Sequence, residues 1–395
     1  MKKIISLCLA MLLSVTGISC NKKEDKSIPT TVLVAMVTDY GDITDMSFNQ
    51  STWEAILEFS KKYNVGVKYY KPSGDSTAER VAAVEKAIAD GAKIIVLPGY
   101  AFGGTLVEVS EKYPNVKFIA IDVSKGDILE AGVPKKGKKY DYTPSNWKVE
   151  EYCHMDNIYC AVFKEEIAGF LAGYVAVKLG YRQLGFLGGM AVPAVVRYGY
   201  GFVQGIERAA IEFGIDNIVV KYAYGNQFYG DADITAAMDA WFAGGTEIIF
   251  PCGGGIYTSI AEAASKKGVN GKLIGVDVDQ APIIDQKYGK LTVTSAMKGL
   301  YPATYHALED IVINGNWSNY AGKIDTLGLV SSEDIEKNYV GLPLESTQWE
   351  EGKCTLNDYK VLVAKLYSGE LKVDSDISKM PTTKKVKVIY LGNIK

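Results

Sequence analysis

The chain has 395 residues, 48% of them apolar and 23% charged, with a formal net charge of -3. That length is enough for two domains with full cores, and the composition is that of ordinary globular protein. A near-neutral balance without a long Lys/Arg tract argues against nucleic acid as a partner, because phosphate backbones are bound by concentrated positive charge.

The first element is "MKKIISLCLAMLLSVTGISC". Lys2 and Lys3 give a positive start, and the apolar run from Ile4 to Val15 is too short to span a bilayer as a mature helix. Cys20 and the polar "NKKEDKS" follow, and the whole resembles a bacterial lipoprotein signal, with Gly17 where Leu is usual. That resemblance implies lipid on Cys20, a tether over about residues 21 to 30, and attachment to a membrane surface without a spanning helix. A plain secretion signal is the alternative. Both export the mature chain.

Strand and helix patterns then alternate. "TVLVAMV" precedes "FNQSTWEAILEFSKKYN", "GVKYYKP" precedes "TAERVAAVEKAIADG", "KIIVLPG" precedes "GGTLVEVSEKYP", and "VKFIAID" follows. Such repeats predict a parallel sheet with helices on both faces. "EAGVPKKGKKYDYTPSNWKVEEYC" lacks either period and reads as a surface insertion. A second series runs from "FKEEIAGFLAGYVAVKLG" to the strand "KLIGVDVD". The expected fold class is therefore α/β, with two lobes joined by short hinge strands and a ligand crevice between them.

Ligands in such sheets bind beyond the carboxyl ends of the strands. "TDYGDITDMSFNQ", Thr38 to Gln50, lies at one such end and spaces Asp39, Asp42 and Asp45 three apart. Ser47 and Gln50 predict a capping box for the helix that follows. A calcium loop would need alternating oxygen ligands and a closing Glu, which this spacing lacks. Asp42 reads as a solvated turn residue. Enzyme signals are weak: only two histidines, no HExxH and no GxSxG. No metal or other cofactor is expected. In "GYGFVQG", Gly201 and Gly205 read as helix-packing glycines, while "CGGG", Cys252 to Gly255, is either a tight turn or a backbone cradle for a ligand oxygen. Cys153, Cys160, Cys252 and Cys354 form no CxxC pair; Cys153 and Cys160 are either a disulfide or buried thiols.

In order along the chain, "TDYGDITDMSFNQSTWEAI", "FIAIDVS", "FKEEIAGFLAGYVAVKLG", "LGFLGG", "GYGFVQGIE", "IIFPCGGGIYTSIAEAA", "IGVDVDQ" and "TSAMKGLYPA" resemble the signatures of the basic membrane protein family, substrate-binding lipoproteins of ABC transporters that include purine nucleoside receptors. The resemblance runs from about Val32 to Pro302. It implies a type I periplasmic-binding fold with three crossings between lobes. The first lobe would hold about residues 30 to 160 and a return segment near 293 to 325, and the second about 161 to 292 and 326 to 395.

Carried over residue by residue, the resemblance implies polar contacts to base or sugar from Asp39, Asp45 and Asn49, and stacking on the base by Phe48. It further implies a cleft carboxylate at Asp122, and Asp277 and Lys298 near the ribose; Gly254 is a candidate backbone contact from the position of the "CGGG" turn itself. In "YGNQFYGD" the second stacking ring is Phe228 or Tyr229. Asp279 is expected behind Asp277. The function the resemblance implies is capture of a nucleoside, a purine nucleoside in the family's terms, and delivery to an ABC permease without catalysis. The residues leave open a sugar or other polar metabolite in the same fold, an exported nucleoside-cleaving enzyme, and an adhesin.

Overall fold

The computed structural model describes residues 33–395; the signal segment and Cys20 lie outside the described residues. Among the described residues, thirteen strands form two sheets. The first-sheet strands are β1 (Val34–Val37), β2 (Val67–Tyr70), β3 (Ile94–Pro98), β4 (Lys117–Ile121), β5 (Ile158–Phe163) and β11 (Ile324–Leu327), in the order β11-β5-β4-β3-β1-β2. The second sheet takes β6 (Gln183–Gly188), β7 (Ile218–Tyr224), β8 (Ile248–Cys252), β9 (Lys272–Asp277), β10 (Thr292–Lys298), β12 (Val340–Gly341) and β13 (Val386–Asn393), in the order β12-β10-β9-β8-β6-β7-β13. All pairings are parallel except that of β10 with the short β12.

The helices are α1 (Phe48–Tyr63), α2 (Thr77–Ala89), α3 (Phe102–Val109), α4 (Lys125–Lys135), α5 (Glu165–Leu179), α6 (Pro193–Glu212), α7 (Ala232–Ala243), α8 (Tyr257–Ala264), α9 (Ala281–Tyr288), α10 (Leu300–Leu308) and α11 (Leu356–Tyr367). The central strands read as apolar runs because helices cover both their faces: β1, β3 and β8 are buried at every residue. One apolar cluster runs from Met36, Phe59 and Ile121 through α5 to Phe186 and Phe250, so the core is continuous across the crossings. Each such ring taken from water contributes about 2 kcal/mol. Gly201 and Gly205 of α6 are the packing residues expected. A β-carbon there would stand 2.0 Å from the carbonyl oxygens of Glu166 and Phe170 on α5, so only glycine lets these helices approach.

The chain crosses between sheets at Lys164, after Lys298 and between β11 and β12. Two expected boundaries move. Thr292–Lys298 belongs to the second sheet beside β9, not to the first-lobe return, which is α10, packed on α1, followed by β11. That return extends to Leu327. The predicted insertion also contains structure: its first residues complete α4, which starts in a capping box between Ser124 and Asp127 and carries Pro134 in its last turn. Val149, Tyr140 and Tyr152 then fold back into the core. Cys153, Cys160, Cys252 and Cys354 are buried free thiols.

Candidate functional site

The carboxyl ends of the central strands of both sheets meet at the lobe boundary, and charged side chains collect there. Asp122 directly follows β4 and Asp277 ends β9. Lys298 ends β10, is almost fully buried, and places its ammonium 2.8 Å from Asp122 Oδ2, 3.4 Å from Asp277 Oδ1 and 3.8 Å from Glu165 Oε1. Burial alone would pull the Lys298 pKa down; Asp122, Asp277 and Glu165 outweigh it and hold it above the ordinary lysine value. A second pair adjoins, half-buried Arg197 donating from Nε to Oε2 of fully buried Glu165 at 2.6 Å. Burial pushes the Glu165 carboxyl up to about 7, against the pull of Arg197 and Lys298.

The opening turn supplies the first lobe's side. Ser47 and Gln50 form no capping box here. Asp45 caps α1 instead: its Oδ1 accepts from the backbone N–H of Ser47 and Gln50, and its Oδ2 from the N–H and side-chain amide of Asn49. Two carboxylate oxygens reach more of the free N–H groups than one hydroxyl does. Asp45, expected to meet a ligand, is thus committed to its own helix. Ser47 Oγ is released to cross the lobe boundary and donate to Asp277 Oδ2 at 2.9 Å.

Asn49 is buried, and its amide also donates to Asp39 Oδ1, which accepts from the N–H groups of Tyr40 and Gly41 as well. Asp39 is half-buried with Oδ2 turned toward Gly99 at the end of β3. Phe48 is half-buried, with the Lys298 ammonium 4.7 Å from its ring centroid, a cation–π distance. Asp42 is exposed and paired with Lys71.

In the second lobe the two candidate rings separate. Phe228 is half-buried over the turns that end β6 and β8, so close that a β-carbon on Gly189 or Gly253 would meet its ring at 2.4 or 2.6 Å. Tyr229 is 64% exposed. Gly254 has φ +49° and backs onto the Phe228 carbonyl, which accepts from Gly255 N–H. The "CGGG" turn is therefore shaped by Phe228. Asp279 caps α9 through the N–H of Ala281. A cavity of about 660 Å³, lined by Tyr181, Glu247, Ser346 and Trp349, opens elsewhere on the second lobe, beside residues that precede β6, β8 and β10, and holds none of these groups.

Structure thus gathers Asp122, Asp277, Lys298 and Phe48 at one place, with Asp39 and Asn49 in the adjoining turn. Sequence reasoning missed Glu165 and Arg197, and the crossing role of Ser47. The available signal for Glu165 was "FKEE": a carboxylate immediately after a buried strand, at a crossing, cannot be simply solvated.

Comparison with known proteins matches residues 32–372 to a family model described as ABC transporter substrate-binding protein, PnrA-like. Basic membrane protein B of Borreliella afzelii is 27% identical over 317 residues, 79% of this chain and 82% of that protein. The ABC transporter nucleoside-binding protein BmpA of Lactococcus lactis is 25% identical over 293 residues, 71% of this chain and 74% of that one. Among solved structures, an ABC transporter solute-binding protein of Aeropyrum pernix superposes with a TM-score of 0.65 at 22% identity, over 87% of this chain and 94% of that one. That likeness shows the two-lobed fold.

Proposed function

Because the chain belongs to the PnrA-like family of ABC transporter substrate-binding proteins, we propose that it captures a nucleoside, with a purine base, by lobe closure and delivers it to an ABC importer. The observation that carries this reading is the convergence of acceptor carboxylates from two sheets, Asp122 and Asp277, on one cleft that also holds the Phe48 ring. A nucleoside is neutral, with a flat base and a ribose rich in hydroxyl donors. Ionised carboxylates accept only, and one can receive two neighbouring hydroxyls.

In this reading Asp122, Asp277 and Lys298 meet the ribose, and Asp39 and Asn49 meet the base edge. Phe48 and Phe228 cover its faces, and Gly254 shapes the turn beneath Phe228. Asp45 acts through α1. The name of the Lactococcus relative, nucleoside-binding, supports the ligand class. The protein transports without catalysis, outside the cytoplasm, held at the membrane by lipid on Cys20; no helix among the described residues is long and apolar enough to cross a membrane.

The test is thermal shift of the chain lacking residues 1 to 20 against inosine, guanosine, adenosine, cytidine, uridine, free bases and ribose. A ligand at ~100 times its Kd stabilises the folded state by about 2.7 kcal/mol. Selective stabilisation by purine nucleosides supports the reading. Stabilisation by ribose alone would move the ligand class to sugars, and release of free base would make the protein an enzyme.

A further inference from the structure

We propose that Glu165 positions Lys298 for lobe closure, retaining its ammonium in the second lobe when the first lobe's Asp122 moves away. The functional consequence rests on the binding reading above; the geometry does not. Glu165 opens α5, one residue beyond the crossing at Lys164, and its side chain is fully buried. Arg197 Nε fixes one oxygen, Oε2, at 2.6 Å. The other, Oε1, has no hydrogen-bond partner and lies 3.8 Å from Lys298 Nζ. Buried acceptors are rarely left unmatched, and a small movement of the ammonium would complete a charge-assisted bond.

Which body each group belongs to decides the role. Lys298 and Asp277 stand on β10 and β9 of the second sheet, and α5 packs on β10 and α6. Asp122 follows β4 of the first sheet. Rotation of the lobes about the crossings therefore parts Lys298 from Asp122 and leaves Asp277 and Glu165 beside it. Asp277 accepts from the hydroxyl of Tyr198 within its own lobe, while its bond from Ser47 parts with the first lobe. Glu165 has an oxygen to spare, and Arg197 holds it in place. The ring of Phe163, 5.9 Å from the ammonium, and that of Tyr198, at 5.8 Å, give it no other counter-charge. Without Glu165 the lysine would keep Asp277 as its one remaining counter-charge, at 3.4 Å, and closure would have to recover a less firmly held ammonium. Glu165 touches no ligand in this scheme; it acts through Lys298.

A double-mutant cycle of E165Q and K298M on the whole protein tests this, read by melting temperature without ligand and by calorimetric titration with inosine as the probe. E165Q is expected to weaken inosine about ten-fold with Lys298 present and less than two-fold in K298M, while E165D, which keeps the charge, recovers most of the loss. Equal losses in both backgrounds, or E165D as weak as E165Q, would overturn the role. If inosine does not bind the unsubstituted protein, the nucleoside reading is what fails. The melting temperatures then decide: non-additive effects of the two substitutions support the pairing and additive effects sink it. If K298M does not fold, E165D against E165Q decides alone.

Discussion

Asp122 and Asp277 occupy the same place in two different sheets. Counting from β2 in one and β7 in the other, each closes the fourth strand, β4 or β9, and each has left-handed backbone, with φ of +66° and +65°. Both then reach one ammonium, that of Lys298, at 2.8 and 3.4 Å. The turn aims each carboxylate at the lobe boundary, and the residue type permits it: Asp and Asn enter this region far more readily than other residues with a β-carbon.

That repeated geometry separates backbone from charge. D122N and D277N are expected to weaken nucleoside binding at least ten-fold, because an amide replaces an acceptor-only group. D122A and D277A should bind no better and be less stable than the Asn variants by about 1 kcal/mol, the cost of forcing Ala into left-handed backbone. Urea denaturation of the four variants reads this directly. Equal stability of the Ala and Asn forms would show that the backbone at these sites relaxes.

The α1 entrance gives a second separation, between cap and crossing residue. D45A removes acceptors from the N–H groups of Ser47, Asn49 and Gln50 and should cost about 1 to 2 kcal/mol of stability. S47A removes no cap bond, since Ser47 Oγ serves Asp277, and should leave stability within about 0.5 kcal/mol while weakening binding by loosening the closed lobes. The reverse ranking in chemical denaturation would restore Ser47 as the cap.

The architecture was legible because buried parallel strands are written as unbroken apolar runs, such as "IIVLP" of β3 and "IIFPC" of β8, with helical spacing between them. Helix α4 was hidden by Gly126, Gly132 and Pro134, each a poor helix former, and is held by its capping box and by burial of Ile128, Leu129 and Val133. The strand-end aspartates were legible from position. Glu165 and Arg197 were not, because a charged pair gains its meaning from burial, and one-dimensional spacing does not place residues 32 positions apart at 2.6 Å. The choice between Phe228 and Tyr229 likewise depended on Gly189 and Gly253, which lie on other strands' ends.

That choice makes a third prediction. Phe228 lies over the ends of β6 and β8, and Tyr229 points to solvent. F228A is expected to weaken purine nucleoside binding by ten-fold or more, from about 1 kcal/mol of stacking together with lost apolar contact, and Y229A by less than two-fold. Calorimetric titration of the two variants decides, and a larger loss in Y229A would assign the stack to the exposed ring.

Asp127 sets the pH dependence of the first lobe. Its carboxyl closes the α4 capping box by accepting from the N–H and hydroxyl of Ser124, yet burial, reinforced by nearby Asp122, pushes its pKa up to about 6. A folded pKa above the unfolded value means the native state binds the extra proton between about 6 and the ordinary 3.8. The ionised group therefore opposes folding above pH 6, and its penalty fades as pH falls through that value. The penalty from Asp127 is on the order of 1 to 2 kcal/mol, reduced by its residual exposure. D127N is neutral at every pH and keeps one acceptor for Ser124, so it should gain stability relative to the parent at pH 7.5, lose about half of that advantage by about pH 5 and most of the rest by about pH 4. Melting temperatures of both proteins across that range supply the check: a difference that does not change with pH would mean that Asp127 keeps an ordinary carboxylate pKa.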